Sequence, residues 1–270
     1  MGIVNVTPDS FSDGGEHFTP DAAVEHSLAL LDDGADILDI GGESTRPGAR
    51  VGIENPLISA EEELRRVLPV ITAVKQARSP AVISIDTYKA AVARGAAEAG
   101  AEIVNDVSGL TWDPEMRKTV ASLNCGVVIV HTRGRPDEWQ SLARVPDLVM
   151  LVRRELRERV NHAAMAGVKP DHIVLDPGFG FGKRMEENFS LIRRFAEFQE
   201  LGLPLAAGVS RKSLIGRALA KDGKDAGIGD RRFGTLGAEV ALALAGAHVI
   251  RTHDVKASVE ALRLADIASD

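Results

Sequence analysis

The sequence predicts an α/β protein that folds as a single (β/α)8 TIM barrel spanning residues 1–270. Eight short apolar runs, rich in valine and isoleucine, alternate along the chain with amphipathic helical runs. Strands separated by helices pair in parallel, and a count of eight favours a closed barrel over an open doubly wound sheet. The length of 270 residues fits one such barrel, for which about 250 residues is typical.

The predicted elements follow one another regularly. The strand runs are Gly2–Val6, Asp36–Ile40, Val82–Ile85, Glu102–Val104, Val127–Val130, His172–Leu175, Leu205–Ala207 and His248–Ile250. The helical runs repeat apolar residues every three or four positions; they are Asp21–Asp33, Ala60–Ala77, Tyr88–Ala99, Pro114–Leu123, Asp147–Ala166, Glu187–Leu201, Lys212–Ala220 with Thr235–Ala245, and Val255–Ile267. Glycines follow several of these helices, as is common at helix C-termini: Gly34, Gly100, Gly167 and Gly202. Because the chain starts inside the first run, a truncated first strand is one expectation.

Composition narrows the class of protein. The net charge is -7, and no basic block stands out, which argues against a nucleic-acid partner. The single cysteine, Cys125, excludes an intrachain disulfide framework. Neither a membrane-spanning apolar run nor a signal peptide is recognisable. We therefore expect a soluble, cytoplasmic protein.

Polar side chains lie at or just beyond the C-terminal end of nearly every predicted strand. In chain order they are Asn5, Asp39, Asp86, Asn105 with Asp106, His131, Asp176, Lys212 within Ser210–Ser213, and Arg251 with His253. In a barrel the C-terminal ends of the strands converge on one face, where active sites are built. Left without partners, such buried groups would cost about 1–3 kcal/mol each. The pattern therefore predicts an active site at this mouth.

The sixth strand run leads into the most informative stretch. Asp176 ends the run, Pro177 stops the strand, and three glycines, Gly178, Gly180 and Gly182, alternate with two phenylalanines. A carboxylate beside a glycine-rich wall with aromatic rings suits a flat ligand with polar edges. The alternative is an aspartate that only caps its own loop. The glycine spacing fits neither a Walker A loop nor a dinucleotide fingerprint.

The acids and amides form a set suited to ring recognition. One carboxylate can accept two adjacent N–H groups of a pterin or purine-like edge. Asp176 is the first candidate and Asp86 a second for another edge, whereas Asn105 can both donate and accept. For each residue alone, a loop-capping role stays open.

The cations form a set suited to anion binding. They lie in separate loops that a barrel would gather: Arg46, Lys212, Arg251 and His253. Arginine binds phosphate bidentately and lysine binds it as a point charge. His253 could instead cap the helix that follows it.

No His/Cys cluster has the spacing of a zinc site. Any metal would be a hard cation such as Mg²⁺, carried mainly by a phosphate. Asn5, with Asp9 or Asp13 nearby, could supply a ligand. No Ser-His-Asp arrangement in a nucleophile elbow is visible.

Seven motifs together resemble the dihydropteroate synthase family, in the family's order. They are Met1–Gly15 (MGIVNVTPDSFSDGG), Gly41–Gly48 (GGESTRPG), Ser84–Thr87 (SIDT), Asn105–Asp106, Asp176–Lys183 (DPGFGFGK), Ser210–Ser213 (SRKS) and Arg251–Asp254 (RTHD). The resemblance covers nearly the whole chain. It implies a folate-pathway transferase that joins 4-aminobenzoate to 6-hydroxymethyl-7,8-dihydropterin pyrophosphate, requires Mg²⁺, forms homodimers and is inhibited by sulfonamides.

The resemblance also implies residue roles. The pterin would be bound by Asp86, Asn105, Asp176, Lys212 and Arg251. The pyrophosphate would be bound by Asn5, Arg46, Arg251 and His253, with Asn5 helping to place Mg²⁺. The 4-aminobenzoate would contact Phe11, Thr45, Pro47, Phe181 and Ser213, with Arg46 in the closing loop. Asp86, Lys212 and Arg251 would be catalytic, with the Asp86 carboxylate favouring a cation that develops on the pterin methylene.

Two segments depart from the family's pattern, namely His131–Gly134 (HTRG, where His-Met-x-Gly is common) and the glycine-rich, charged Lys221–Asp230. Two alternative functions stay open at this point. One is a methyltetrahydrofolate-dependent methyltransferase, which shares the pterin-binding barrel. The other is an inactive pterin-binding paralogue.

Overall fold

The computed structural model describes residues 1–7, 20–44, 51 and 58–269. Its strands lie where apolar β-branched runs predicted them and differ from the predicted bounds by no more than two residues. They are β1 (Gly2–Asn5), β2 (Ile37–Gly41), β3 (Val82–Asp86), β4 (Ile103–Asp106), β5 (Gly126–Val130), β6 (Ile173–Asp176), β7 (Ala206–Ala207) and β8 (Val249–Ile250).

These strands close into a parallel barrel. The first six form one continuous sheet in chain order, and β7 pairs with β8. Single bridges join the two parts, from Leu175 to Leu205 and from Gly2 to Thr252. A hydrogen bond from the Ile3 amide to the Thr252 carbonyl (3.0 Å) ties the last strand back to the first. The predicted (β/α)8 class is thereby confirmed.

Nine α-helices are described outside the barrel. They are α1 (Pro20–Asp32), α2 (Ala60–Ala77), α3 (Ala90–Glu98), α4 (Met116–Leu123), α5 (Leu148–Met165), α6 (Met185–Arg193), α7 (Ser213–Ala218), α8 (Arg232–Leu244) and α9 (Val255–Ser269). None of the helices described is both long and apolar enough to cross a membrane.

One predicted helix is wrong. The run Glu187–Leu201 is broken at Arg194 (φ -113°), after which Phe195–Leu201 is a 3₁₀ helix. Because this helix has three residues per turn, Phe195 and Phe198 lie on the same side, and both are fully buried. The two rings pack against each other in the interior, with their centres 5.9 Å apart.

The strands divide their side chains between two environments, because successive side chains point to opposite faces. Ile83 and Ile85 of β3 belong to the large core between barrel and helices. The alternate positions, Ser84 and Asp86, face the barrel interior. A small apolar cluster, with Val128 as one of its members, fills part of that interior. The residues closer to the C-terminal ends of the strands are polar, so they line the mouth of the barrel.

Candidate functional site

Arg251 lies at the centre of the mouth, just after β8. Its Nε donates to Asp39 Oδ2 (2.5 Å) and its Nη2 donates to Asp86 Oδ2 (2.7 Å). Asp39 Oδ2 also accepts a hydrogen bond from Asn105 Nδ2 (2.9 Å). These contacts join three strands whose residues are far apart in sequence. The guanidinium is therefore held between two carboxylates.

The charge states of Arg251 and Asp86 depend on burial and on each other. Burial opposes charging of Arg251, but Asp39 and Asp86 raise the pKa of its guanidinium above the ordinary value. Burial raises the pKa of the Asp86 carboxyl to about 7; Arg251 opposes the rise and Asp39 adds to it. Arg251 is thus a permanent cation, whereas Asp86 can exchange a proton near neutral pH.

Two buried oxygens beside this ion pair have no hydrogen-bond partner among the described residues: Asn105 Oδ1 and Asp39 Oδ1. Each unsatisfied buried acceptor costs about 1–3 kcal/mol. A ligand that brings N–H groups into the mouth would recover that cost. This observation points to a ring with hydrogen-bond donors on its edge.

Asp176 is buried at the end of β6 and partly caps its own loop, since its Oδ1 accepts from the Gly178 amide (2.6 Å). The loop-capping alternative is therefore observed for one oxygen. Oδ2 takes part in no hydrogen bond among the described residues. Burial raises the pKa of Asp176, and the charge of Lys212 opposes that rise.

Lys212 approaches Asp176 from the loop after β7. Its Nζ donates to the Phe179 carbonyl (2.7 Å) and lies 4.2 Å from the centre of the Phe181 ring. Burial lowers the pKa of this lysine to about 8, while Asp176 acts in the opposite direction. At neutral pH the side chain is mainly a cation, beside an aromatic ring.

The glycine-rich loop after β6 packs against the loop after β5. Gly178 has φ +70°, and a Cβ at this position would lie 1.9 Å from the His131 carbonyl oxygen. Lys183 Nζ donates to the carbonyls of His131 (2.9 Å), Gly178 (2.7 Å) and Phe181 (3.1 Å). Its buried ammonium therefore braces the loop from inside.

The two phenylalanines of that loop have different roles. Phe179 is fully buried and stacks with Phe195 at 6.3 Å. Phe181 is partly exposed, contacts Trp139 at 5.7 Å and lies under the Lys212 ammonium. Of this pair, Phe181 is the ring placed to meet a ligand.

His253 enters the site as a neutral ring. Its Nδ1 lies 2.9 Å from Ser210 Oγ, which also accepts from the His253 amide (3.1 Å). Burial, together with nearby arginines, lowers the pKa of His253 to about 3. The ring is therefore uncharged in this structure and can take part in a hydrogen bond.

A second charged cluster lies behind the mouth. Lys89 Nζ donates to Glu43 Oε2 (2.6 Å), Glu63 Oε2 (2.6 Å) and the Ile58 carbonyl (2.9 Å). All three charged side chains are nearly inaccessible. The cluster joins the loops after β2 and β3 to helix α2.

The segment His131–Gly134, where the sequence departs from the family's pattern, also has a structural role. Arg133 donates to the carbonyls of Gly182 (3.3 Å) and Ala143 (2.9 Å). The additional charge thus helps to connect the loop after β5 to the glycine-rich loop.

Comparison with known proteins agrees with this geometry. The sequence pattern of the family described as pterin binding enzymes matches residues 1–253. The chain belongs to this family. It is 44% identical over 266 residues to the dihydropteroate synthase of Escherichia coli K12, which covers 98% of this chain and 90% of the relative.

Solved structures in the same family are close in fold. The Xanthomonas albilineans dihydropteroate synthase with 4-aminobenzoic acid superposes with a TM-score of 0.89 at 43% identity, covering 100% of this chain and 92% of that one. The same enzyme in complex with 7,8-dihydropteroate gives a TM-score of 0.86 at 41% identity, again with 100% and 92% coverage.

Seven of the predicted site residues come together at the mouth: Asp86, Asn105, Asp176, Phe181, Lys212, Arg251 and His253. Asn5 ends β1, where it pairs in register with Gly41. Ser213 is the exposed first residue of α7. The other predicted contacts lie outside the described residues: Phe11, Thr45, Arg46 and Pro47, together with Asp9 and Asp13.

The metal prediction concerns Asn5 alone among the described residues. Within residues 1–7, 20–44, 51 and 58–269 there is no group of three or more His, Cys, Asp or Glu side chains that could hold a metal ion. Asn5 offers one hard amide oxygen at the mouth. That donor fits a Mg²⁺ ion whose other ligands come mainly from pyrophosphate and water.

Sequence reasoning missed the importance of Asp39. Asp39 was predicted only as one of the polar residues near the strand ends, with no role of its own. The available signal was a charged residue within an otherwise apolar strand run, at a position that shares a face with Gly41. That alternation places Asp39 inside the barrel, where it needs partners.

Proposed function

We infer that this chain catalyses the dihydropteroate synthase reaction. The reaction joins 4-aminobenzoate to 6-hydroxymethyl-7,8-dihydropterin pyrophosphate, giving 7,8-dihydropteroate and pyrophosphate. The observation that carries this inference is the unsatisfied buried Asn105 Oδ1, together with the buried Asp176 carboxylate, beside a guanidinium and a lysine ammonium. These acceptors suit the N–H groups of a pterin edge, and the cations suit its pyrophosphate.

Different residues of the mouth would bind different parts of the pterin substrate. Asp176 and Asn105 would hold the pterin edge, and Lys212 and Arg251 would bind oxygens that carry negative charge. The bond between the methylene carbon and the pyrophosphate oxygen breaks, and its electron pair leaves with pyrophosphate. The amine nitrogen then forms the new C–N bond and loses a proton. Mg²⁺, held in part by Asn5, would neutralise charge on the pyrophosphate.

The test of the function is pyrophosphate release from the dihydropterin substrate, with Mg²⁺, in the presence and absence of 4-aminobenzoate. We expect release that depends on 4-aminobenzoate and a product with the mass of dihydropteroate. Binding of methyltetrahydrofolate with no requirement for pyrophosphate would indicate the methyltransferase instead. Pterin binding with no turnover would indicate an inactive paralogue.

Chelation of Mg²⁺ should stop the reaction, and added Mg²⁺ should restore it.

Asp86→Asn is expected to lower kcat about 100-fold, the usual effect of removing one preorganised electrostatic group. The physical reason is that a fixed carboxylate favours the cation that develops on the pterin methylene. The measurement is steady-state kinetics combined with the Kd of the pterin substrate. A variant with full kcat and only weaker pterin binding would contradict the electrostatic role.

The pH dependence should show the ionisation of Lys212. Because its pKa is lowered to about 8, the ammonium loses its proton as the pH rises through that value. We therefore expect kcat/KM to fall above about pH 8. Lys212→Arg, which stays charged, should lack this decline at the same pH. If the decline persists unchanged in Lys212→Arg, another group is responsible.

We also propose that residues 1–270 form one domain, that two copies form a homodimer, and that the protein is cytoplasmic. The dimer proposal is supported by an apolar stripe on α8, where Phe233 is 81% and Leu244 is 60% exposed. These residues share a helix face with Gly237 and Ala241.

Phe233→Glu should weaken the dimer at least about 10-fold, because a charge would be buried in the contact. Sedimentation at several protein concentrations measures the change. Met165→Glu is the matched control, since Met165 is 86% exposed on α5, away from the stripe. A wild-type chain that sediments only as a monomer would contradict the dimer.

A further inference from the structure

We propose that Asp39 is a positioning residue that fixes the Asn105 amide and the Arg251 guanidinium for the pterin substrate. This role rests on the proposed function, because it concerns the pterin-binding part of the same site. Asp39 acts through its two neighbours and needs no contact of its own with the reacting atoms.

Asp39 holds two donors from a fixed, buried position. One oxygen, Asp39 Oδ2, accepts from both Arg251 Nε (2.5 Å) and Asn105 Nδ2 (2.9 Å). Asp39 is 0% exposed. It lies in the middle of β2, paired in register with Ile3 on one side and Ser84 on the other. A side chain held this firmly fixes the position of any donor that binds it.

Asp39 also determines the orientation of the Asn105 amide. The flipped amide would place Asn105 Oδ1 against the carboxylate of Asp39, two acceptors with no proton between them. Nδ2 therefore faces Asp39, and Oδ1 is left buried and unpartnered. Asn105 can then accept an N–H from the ligand at a fixed point. Asp39 in this way selects rings that present a donor there.

Asp39 also holds Arg251 in place. The Nη2 of Arg251 binds Oδ2 of Asp86, the second predicted pterin carboxylate, while its Nε binds Asp39. A pterin edge can therefore bind Asp86 through Oδ1, because a carboxylate offers acceptor sites on both oxygens. Because Asp39 holds Nε, the guanidinium stays at the mouth while Asp86 accepts the ligand.

Asp39 also lies one step deeper than the ligand-binding residues. Its partner across the sheet is Ser84, whereas Asp86 pairs with Gly41, two residues nearer the mouth. Asp39 is therefore beneath Asp86 in the barrel. A residue at this depth supports the groups above it, which is why we assign it a positioning role and not a catalytic one.

The test uses Asp39→Asn in the full-length chain, with calorimetric titration of 6-hydroxymethyl-7,8-dihydropterin pyrophosphate. We expect the Kd to rise about 10- to 100-fold, as for the loss of a charge-assisted hydrogen bond. The KM for 4-aminobenzoate should stay within about twofold of wild type. An unchanged pterin Kd in a folded variant would overturn the proposal.

Asp113→Asn is the matched control. Asp113 is also a buried aspartate, but its oxygens accept from the backbone amides of Ala90 (2.7 Å) and Glu115 (2.9 Å). This control should lose stability yet keep its pterin Kd within about twofold. Equal weakening of pterin binding in both variants would overturn a specific role for Asp39.

The pH profile provides a readout that a purely structural role would not move. The charged groups acting on Asp86 are Arg251 just after β8, Asp39 from β2, Glu63 from α2, Asp106 from β4 and Lys212 just before α7. Removing the Asp39 charge removes a neighbouring anion that raises the pKa of Asp86. Arg251 then pairs with Asp86 alone. Both effects lower the pKa of Asp86. The acidic limb of pterin binding should then move to lower pH in Asp39→Asn. A limb that stays in place would overturn the proposal.

Two further measurements keep the outcomes separate. If Asp39→Asn does not fold, Asp39→Glu retains the charge but displaces it, and it should weaken pterin binding without changing the KM for 4-aminobenzoate.

A wild-type chain that binds no pterin would contradict the proposed function. In that case a crystal structure of Asp39→Asn still decides the positioning role: Arg251 should leave its place and pair with Asp86 alone, and an unmoved guanidinium would overturn the role.

Discussion

Gly178→Ala is expected to reduce turnover at least about 100-fold, the effect of misplacing reactive groups by an ångström. Gly178 has φ +70°, and the added Cβ would lie 1.9 Å from the His131 carbonyl oxygen and 2.9 Å from its carbon. These are backbone atoms, and the His131 amide is itself tied to the Asp176 carbonyl at 2.8 Å. Neither side can move alone.

The displaced loop would carry active-site groups with it. The Gly178 amide donates to Asp176 Oδ1, and the Gly178 carbonyl accepts from Lys183. A shift here would therefore move the carboxylate that we assign to the pterin edge. Pterin affinity and turnover should both fall.

The measurement is steady-state kinetics beside thermal unfolding, with Gly202→Ala as the control. Gly202 has a similar φ of +71°, but nothing lies within 4 Å of a Cβ at that position. It should therefore cost only the intrinsic penalty of about 1–2 kcal/mol for a left-handed residue and keep full activity. Equal behaviour of the two variants would show that backbone conformation, and not the clash, is decisive.

Lys89→Met is expected to destabilise the fold by about 3–5 kcal/mol, as when one partner of a buried ion pair is removed. The ammonium lies 2.6 Å from both Glu43 and Glu63. Burial raises the pKa of Glu63, and the Lys89 charge opposes that rise. Without Lys89, two carboxylates would face each other in the interior.

Urea unfolding measures the loss, and Arg78→Met is the control. Arg78 pairs with Asp32 on the surface, with 49% and 68% of the two side chains exposed, so its loss should cost at most about 1 kcal/mol. In Lys89→Met the pKa of Glu63 should rise further in the folded state, because the charge that opposes its rise is removed. Groups whose pKa is raised by folding favour the folded state at low pH, so the destabilisation should shrink as the pH falls from about 7 to about 5. A pH-independent loss would contradict this account.

The sequence by itself determined the barrel and the set of groups at its mouth. Short β-branched runs with intervening amphipathic helices allow few arrangements, because a parallel strand needs a helical crossover. Once the barrel is assumed, a polar residue at a strand end must lie on one face. For this reason the sequence alone places five residues together at the mouth: Asp86, Asn105, Asp176, Lys212 and Arg251. Their individual roles stay predictions that the proposed variants test.

Only the tertiary structure decided which of these groups pair and which are charged. Arg251 and Asp39 are 212 positions apart, and strand periodicity gives the face of a side chain but not its partner across a closed barrel. The same limit applies to Lys89, which no local pattern connects with Glu43 and Glu63. The neutral state of His253 likewise depends on burial by distant elements. Pairing and protonation are set by distance and desolvation, and these arise only when the barrel closes.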